Sequence, residues 1–92
     1  MSRQWRFEIT AEGQEDLKCL DTHPRKRVLE KLKWLTENFD HLTPLPLGIP
    51  WKGFFKLRVG DWRVVYEVEN ENNLVTVHVI DRRDTVYKRR KN

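Results

Sequence analysis

The chain has a single cysteine, Cys19, in 92 residues. That excludes a disulfide framework and a cysteine-based zinc site, and fits a reducing compartment such as the cytoplasm. The histidines His23, His41 and His78 show no metal-ligand spacing, so no metal or other cofactor is expected. A glycine-rich nucleotide loop and a serine-centred nucleophile motif are both missing. No apolar run approaches membrane-spanning length, and the opening MSRQWRFEIT lacks the apolar core of a signal peptide. No membrane partner is expected, and there are no internal repeats.

What is present is charge set among bulky apolar residues. Lys and Arg number 18 against 14 Asp and Glu, for a net charge of +4. That sign favours a polyanionic or acidic partner. Apolar residues make up 38% of the chain, with four Trp, four Phe and two Tyr to fill a core. The expectation is one small folded domain over residues 1–92, burying roughly 60–65% of its unfolded surface.

The organising stretch is FFKLRVGDWRVVYEV, residues 54–68. Apolar residues alternate with others on both sides of Gly60-Asp61, which reads as a two-residue hairpin turn. The turn fixes a register: Val59 opposite Trp62, Arg58 opposite Arg63, Leu57 opposite Val64, Lys56 opposite Val65, Phe55 opposite Tyr66. One face is then core-like. The other carries Lys56, Arg58 and Arg63 close together, and like charges directly opposite on a sheet destabilise it by a few tenths to about 1 kcal/mol. The arrangement asks for an anion, and an RNA phosphate is the working candidate.

Around this hairpin, Gln4 to Thr10 reads as a first strand and Thr10 as the cap of a helix over about Ala11 to Leu20, which Gly13 weakens. A stronger helix starts beyond Thr22 or His23, with Pro24 in its first turn. Val28, Leu32, Leu35 and Phe39 form its stripe and Leu29 widens it. Trp34 falls off that stripe, either packed on the first helix or part of a partner surface. The segment from Asp40 to Gly53, with Pro44, Pro46 and Pro50, reads as a long loop. Leu74 to Ile80 is the last strong strand. A loop at 70–73 would pair Val68 with Val75, Tyr66 with Val77 and Val64 with Val79, placing Thr76, His78 and Ile80 on the basic face. The predicted fold is α+β, in the order β-α-α-β-β-β. Two helices pack on one face of an antiparallel sheet, and the other face is left open.

The run KLRVGDWRVVY, residues 56–66, followed by Arg83-Asp84-Thr85-Val86-Tyr87, resembles the RelE branch of the RelE/ParE toxins of bacterial type II toxin–antitoxin modules. The likeness extends over the whole chain. It implies a ribosome-dependent mRNA endoribonuclease, an mRNA interferase that inhibits translation without a metal. In that family the mRNA 2′-hydroxyl attacks the adjacent phosphate and leaves a 2′,3′-cyclic phosphate. By resemblance, Lys56 serves as base or charge stabiliser, Arg63 holds the scissile phosphate, Arg83 (with Arg82 beside it) is the late arginine, and Tyr87 stacks on or orients the nucleotide. Phe54 stands where some relatives carry a second lysine. The implied partners are a cognate antitoxin, mRNA in the ribosomal A site, and the ribosome.

The residues themselves add further candidates. Arg58 pairs either with substrate phosphate or with a carboxylate such as Glu67. His78 is an acid/base or RNA-binding candidate, or a hydrogen-bonded strand histidine. Lys88, Arg89 and Arg90 form a basic tail, either solvated or gripping rRNA. Two other readings use the same fold: a ParE-type toxin that inhibits DNA gyrase, and a family member that binds RNA or antitoxin without cleaving.

Overall fold

The computed structural model describes residues 3–49 and 51–88. Strand β1 (Arg6–Ile9) ends at Thr10, whose hydroxyl accepts a hydrogen bond from the Gly13 N–H at 3.1 Å and caps helix α1 (Ala11–Lys18). Gly13 is buried against the sheet. A Cβ there would lie 2.8 Å from Ile9 Cγ2 and 3.0 Å from the Val77 carbonyl. The glycine that weakens the helix is the residue that lets α1 reach the sheet. Asp16, one turn on, accepts from the Ile80 N–H at 3.0 Å, beyond the point where β1 ends its pairing.

Helix α2 (Thr22–Glu37) buries Val28, Leu32 and Leu35, and Phe39 continues the stripe in a short 3-10 turn. Leu29 does not widen that stripe. It is exposed, because the 3.6-residue repeat carries it round to the solvent side. Trp34 is exposed too, and it does not pack on α1: it faces the β3 side, with Lys31 Nζ 3.7 Å from its ring centroid.

The long loop contains a short strand, β2 (Leu45–Pro46), that pairs antiparallel with β3 (Phe55–Val59). Strands β4 (Trp62–Glu69) and β5 (Leu74–Arg82) follow, and the sheet order is β1-β5-β4-β3-β2. The α+β architecture and element order are those expected. The sheet, however, is mixed, because β1 runs parallel to β5. Alternation of side chains sets which face a strand buries and says nothing of its direction. The hairpin register is the expected one through all of its pairs, with Gly60 at φ 58° in the turn.

The β4–β5 register holds only at its first half. Val68 pairs with Val75 and Tyr66 with Val77. A bulge then intervenes between Val65 and Tyr66, and Val65 meets Val79 while Val64 meets Ile80. His78 is the extra residue, and such an insertion puts neighbouring side chains on one side of the strand. Ile80 therefore joins the helix-side core, not the basic face, and Val79 crosses to the other side.

The second face is not left open at its centre. Val65 and Val79 are covered by Trp51 and Val86, with Leu47 and Phe54 packed beside them. This cover comes from a loop and a 3-10 turn (Val86–Lys88) that have no periodic pattern. The Trp51 Nε1 is buried without a hydrogen-bond partner among the described residues.

Candidate functional site

Around that small cluster the cations form a rim. Lys56, on β3, lies with its Nζ 5.7 Å from the centroid of the Tyr87 ring. Tyr87 is exposed but its neighbour Val86 is fully buried, so the ring is held at the rim by an apolar anchor one residue away. The segment is tied down further. The Thr85 hydroxyl donates to Asp81 Oδ1 at 3.0 Å, and the Arg83 N–H donates to the Asp61 carbonyl at 2.8 Å. The C-terminal turn is thus fastened to the tip of the β3–β4 hairpin.

Arg58 and Arg63 stand opposite one another in the ladder, as the turn dictates. In a two-residue hairpin the pair flanking the turn exchanges both backbone bonds. Arg58 and Arg63 are then a non-hydrogen-bonded pair, where side chains come closest. The structure eases the repulsion at the turn. Arg63 Nη1 donates to the carbonyls of Gly60 and Trp62, each at 2.8 Å, folding one edge of its guanidinium onto the turn. Asp81 on β5 pairs with Arg63 in the same rung, so a carboxylate-bearing residue flanks it on the far side. Arg58 remains exposed, with no ion pair within 4.0 Å among the described residues.

Arg83 lies at the hairpin tip, with Nε 4.0 Å from Asp61 Oδ1. Arg82 is not brought to this rim. It pairs with Trp62, stands 5.8 Å from that ring and 3.7 Å from Asp84, and borders a cavity lined by Asp16 and Cys19 of the α1 region. His78 is buried on the second face. Its Nε2 is 2.6 Å from Glu67 Oε1 and its ring meets Phe54 edge-on, with centroids 5.3 Å apart. Glu67 is therefore engaged by His78 and not by Arg58. Lys88 is exposed beside Tyr87, whereas Arg89 and Arg90 lie outside the described residues.

Two titrations are displaced, both away from the rim. Hydrogen bonds from Trp5 and then Arg3 hold the Asp40 carboxyl below its usual range. Burial pushes the Tyr66 hydroxyl up to about 12. Among the described residues no group of three or more His, Cys, Asp or Glu could hold a metal ion, and no helix is long and apolar enough to cross a membrane. The residues that sequence reasoning missed are Trp51, Val86 and Asp81. Val86 had a signal, its place beside Tyr87 in the motif. Trp51, in an aperiodic loop, had none.

A family model described as the ParE toxin of type II toxin–antitoxin systems matches residues 7–86. Among solved structures, the chain is similar to a RelBE toxin–antitoxin complex from Mycobacterium tuberculosis. Identity is 23% and the TM-score 0.79, covering 88% of this chain and 100% of that one. It is similar to the isolated E. coli RelE toxin at 20% identity and a TM-score of 0.71, covering 91% and 92%. It also resembles a chromosomal ParDE system from P. aeruginosa at 17% identity and a TM-score of 0.68, covering 88% and 98%. At these identities the structures establish the fold. A comparison with curated protein sequences gave no match.

Proposed function

This chain belongs to the ParE toxin family of type II toxin–antitoxin systems, within the RelE/ParE superfamily, and on that premise we propose that it is a ribosome-dependent mRNA endoribonuclease. The observation that carries this reading is the meeting of Lys56 and Tyr87, 5.7 Å apart, on a rim where Arg58 is exposed without a carboxylate partner among the described residues. A partner-free cation beside an exposed, anchored ring suits a nucleotide: the ring stacks on a base and the cation meets its phosphate.

The reaction is metal-independent in this proposal. The 2′-oxygen of one nucleotide bonds to the adjacent phosphorus, the bond from phosphorus to the next 5′-oxygen breaks, and the product is a 2′,3′-cyclic phosphate. Charge builds on the phosphoryl oxygens as this happens, and fixed guanidinium groups stabilise it. Arg58 and the outward nitrogens of Arg63 take that part. Lys56 is the group placed to move a proton or offset charge, since His78 is held by Glu67. Arg83 and Lys88 extend the positive rim along the RNA. The partners are mRNA in the ribosomal A site, rRNA and a cognate antitoxin, and the work is done in the cytoplasm.

A second reading is gyrase inhibition, favoured by the ParE description of the matching family and by the turn-bound position of Arg63. A non-cleaving binding member is the third. Mapping mRNA 5′ ends after induction, beside a gyrase supercoiling assay, separates them. Cuts within translated codons that vanish in Lys56→Ala and Tyr87→Ala are the expected result. Lost supercoiling with intact mRNA overturns it in favour of gyrase, and neither effect leaves the binding member.

A further inference from the structure

The sheet has an open edge at β1. In the order β1-β5-β4-β3-β2 this strand is outermost, and among the described residues no strand lies beyond it. Its inner side is taken. The Arg6 N–H donates to the Asn73 carbonyl at 3.0 Å, and the Thr10 N–H donates to the Val77 carbonyl at 2.9 Å. Backbone groups along a strand alternate in direction with a period of two. The N–H and C=O of Phe7 and of Ile9 therefore face outward. Ile9 is partly served, because Gln14 Nε2 donates to its carbonyl at 2.9 Å. Phe7 carries its two groups into solvent.

Side chains alternate as well. Phe7 and Ile9 lie on the helix side, where they are only half-buried, and Arg6 and Glu8 stand exposed on the second face. Arg6 spends one nitrogen on the Asn72 carbonyl at 3.2 Å. Neither Arg6 nor Glu8 has an ion pair within 4.0 Å among the described residues. Edge strands are commonly guarded by charge, and two like charges would guard this one. One cation and one anion placed symmetrically about Phe7 do the opposite. They are complementary to a second copy of themselves.

We propose that β1 pairs antiparallel with β1 of a second copy of this chain, with Phe7 on the two-fold axis. The two Phe7 residues exchange both backbone bonds. On either side of the axis an Arg6 meets a Glu8, in non-hydrogen-bonded rungs where side chains come closest. The charges set this register. With Arg6 or Glu8 on the axis, each would face its own copy, and its inward-turned amide would have nothing to offer. The contact is isologous and closes as a dimer. Two five-stranded sheets then become one continuous sheet, with both cationic faces on the same side. Lys56, on β3, is separated from the junction by β5 and β4, so the dimer leaves its rim uncovered. The inference is independent of which activity the toxin has. A four-residue edge makes a small interface, so the association belongs to the weak class.

Sedimentation equilibrium of the whole chain, from about 10 μM to about 1 mM, is expected to show a monomer–dimer equilibrium. Amide exchange at Phe7 should slow as concentration rises. Arg6→Glu and Glu8→Arg each set like charges in both rungs, and each is expected to weaken association by about tenfold or more. Mixed in equal amounts, the two variants match at every rung and should associate as the parent does. The double variant Arg6→Glu, Glu8→Arg should do so alone. Both side chains are exposed, so native folding is expected throughout, with circular dichroism as the check. A monomer at every concentration overturns the proposal. So does a dimer that both single variants keep, a mixture that stays apart, or a dimer in which exchange at Phe7 is not slowed.

Discussion

Toward the helices, the sheet is closed by two repeats meeting each other. Val64, Tyr66, Val75 and Val77, spaced by twos, lie under Val28, Leu32 and Leu35, spaced by threes and fours. On its other side Val65 and Val79 are covered by one indole and one valine, from segments with no repeat, and a ring of cations surrounds the cover. The first face is large and apolar. The second is small, and its buried Trp51 donor lacks a hydrogen-bond partner among the described residues, which costs about 1–3 kcal/mol. The difference separates two jobs. The helix side holds the fold together, and the cationic side is free to present charge because little of the folding energy depends on it.

Truncating one side chain on each face breaks this comparison most directly. Leu32→Ala leaves a cavity in the helix-side core and is expected to lower the unfolding free energy by about 3 kcal/mol in urea titration. Val86→Ala removes less apolar volume from the smaller cluster and is expected to cost about 1 kcal/mol. It also frees Tyr87 from its anchor, so on the proposed endoribonuclease reading RNA cleavage should fall further than stability does. Equal losses of stability for the two variants would mean that the second cluster is as much a core as the first.

Gly13→Ala tests how tightly the helix side is closed. Helix propensity alone predicts a gain of about 0.5–1 kcal/mol. The new Cβ would lie 2.8 Å from Ile9 Cγ2 and 3.0 Å from the Val77 carbonyl, and only the first can give way easily. A net loss of about 1–2 kcal/mol is expected, with slower growth of helix signal in refolding. A more stable variant would show that α1 can lift from β5 at little cost.

How far such features could be read beforehand depends on what encodes them. The β3–β4 register was legible because turn length and alternation together leave one solution. The bulge was not. One extra residue in LVTVHVI leaves apolar residues on both sides of the slip, so the pattern looks continuous with or without it. Yet that residue decides which side chain faces Arg63. Without it Ile80 would stand opposite Arg63, and with it Asp81 does. The rung of the two opposed arginines thus ends on an acidic residue whose register the sequence concealed, although its Oδ1 is taken by the Arg82 N–H and the Thr85 hydroxyl. Lys56 and Tyr87 were recognisable through family motifs, while the anchor that brings them together came from packing. The hydrogen bonds of Arg63 to the turn carbonyls left no trace in the pattern.

A smaller effect lies at the edge of the helix side. Trp5 and Arg3 hold Asp40 as a carboxylate in the folded state, so its folded pKa lies below the unfolded value of about 3.8. A depressed pKa contributes stability that is present above the unfolded value and lost as pH falls through the folded one. Thermal melts from pH 5 down to about pH 2 should therefore show a decline that Asp40→Asn makes shallower. An unchanged acid limb in the variant would assign the decline to other carboxylates.

The smallest stability change is expected at Arg58, and it sharpens the comparison most. Arg58→Met keeps the apolar stem and removes the charge. The residue is exposed and unpaired within the described chain, and the repulsion it brings to Arg63 is offset by the turn carbonyls that hold the Arg63 guanidinium. The melting temperature should stay within about a degree or two of the parent, corresponding to less than about 0.5 kcal/mol. If the proposed endoribonuclease reading holds, activity should behave oppositely, with mRNA cleavage falling by about tenfold or more as the proposed charge-assisted contact to phosphate is lost. A clear drop in melting temperature would show that the second face uses Arg58 to hold itself together. Unchanged cleavage in a stable variant would show that the exposed guanidinium does not touch the scissile phosphate. Either result would move the functional cations away from the hairpin, leaving Lys56 and Tyr87 to be tested without it.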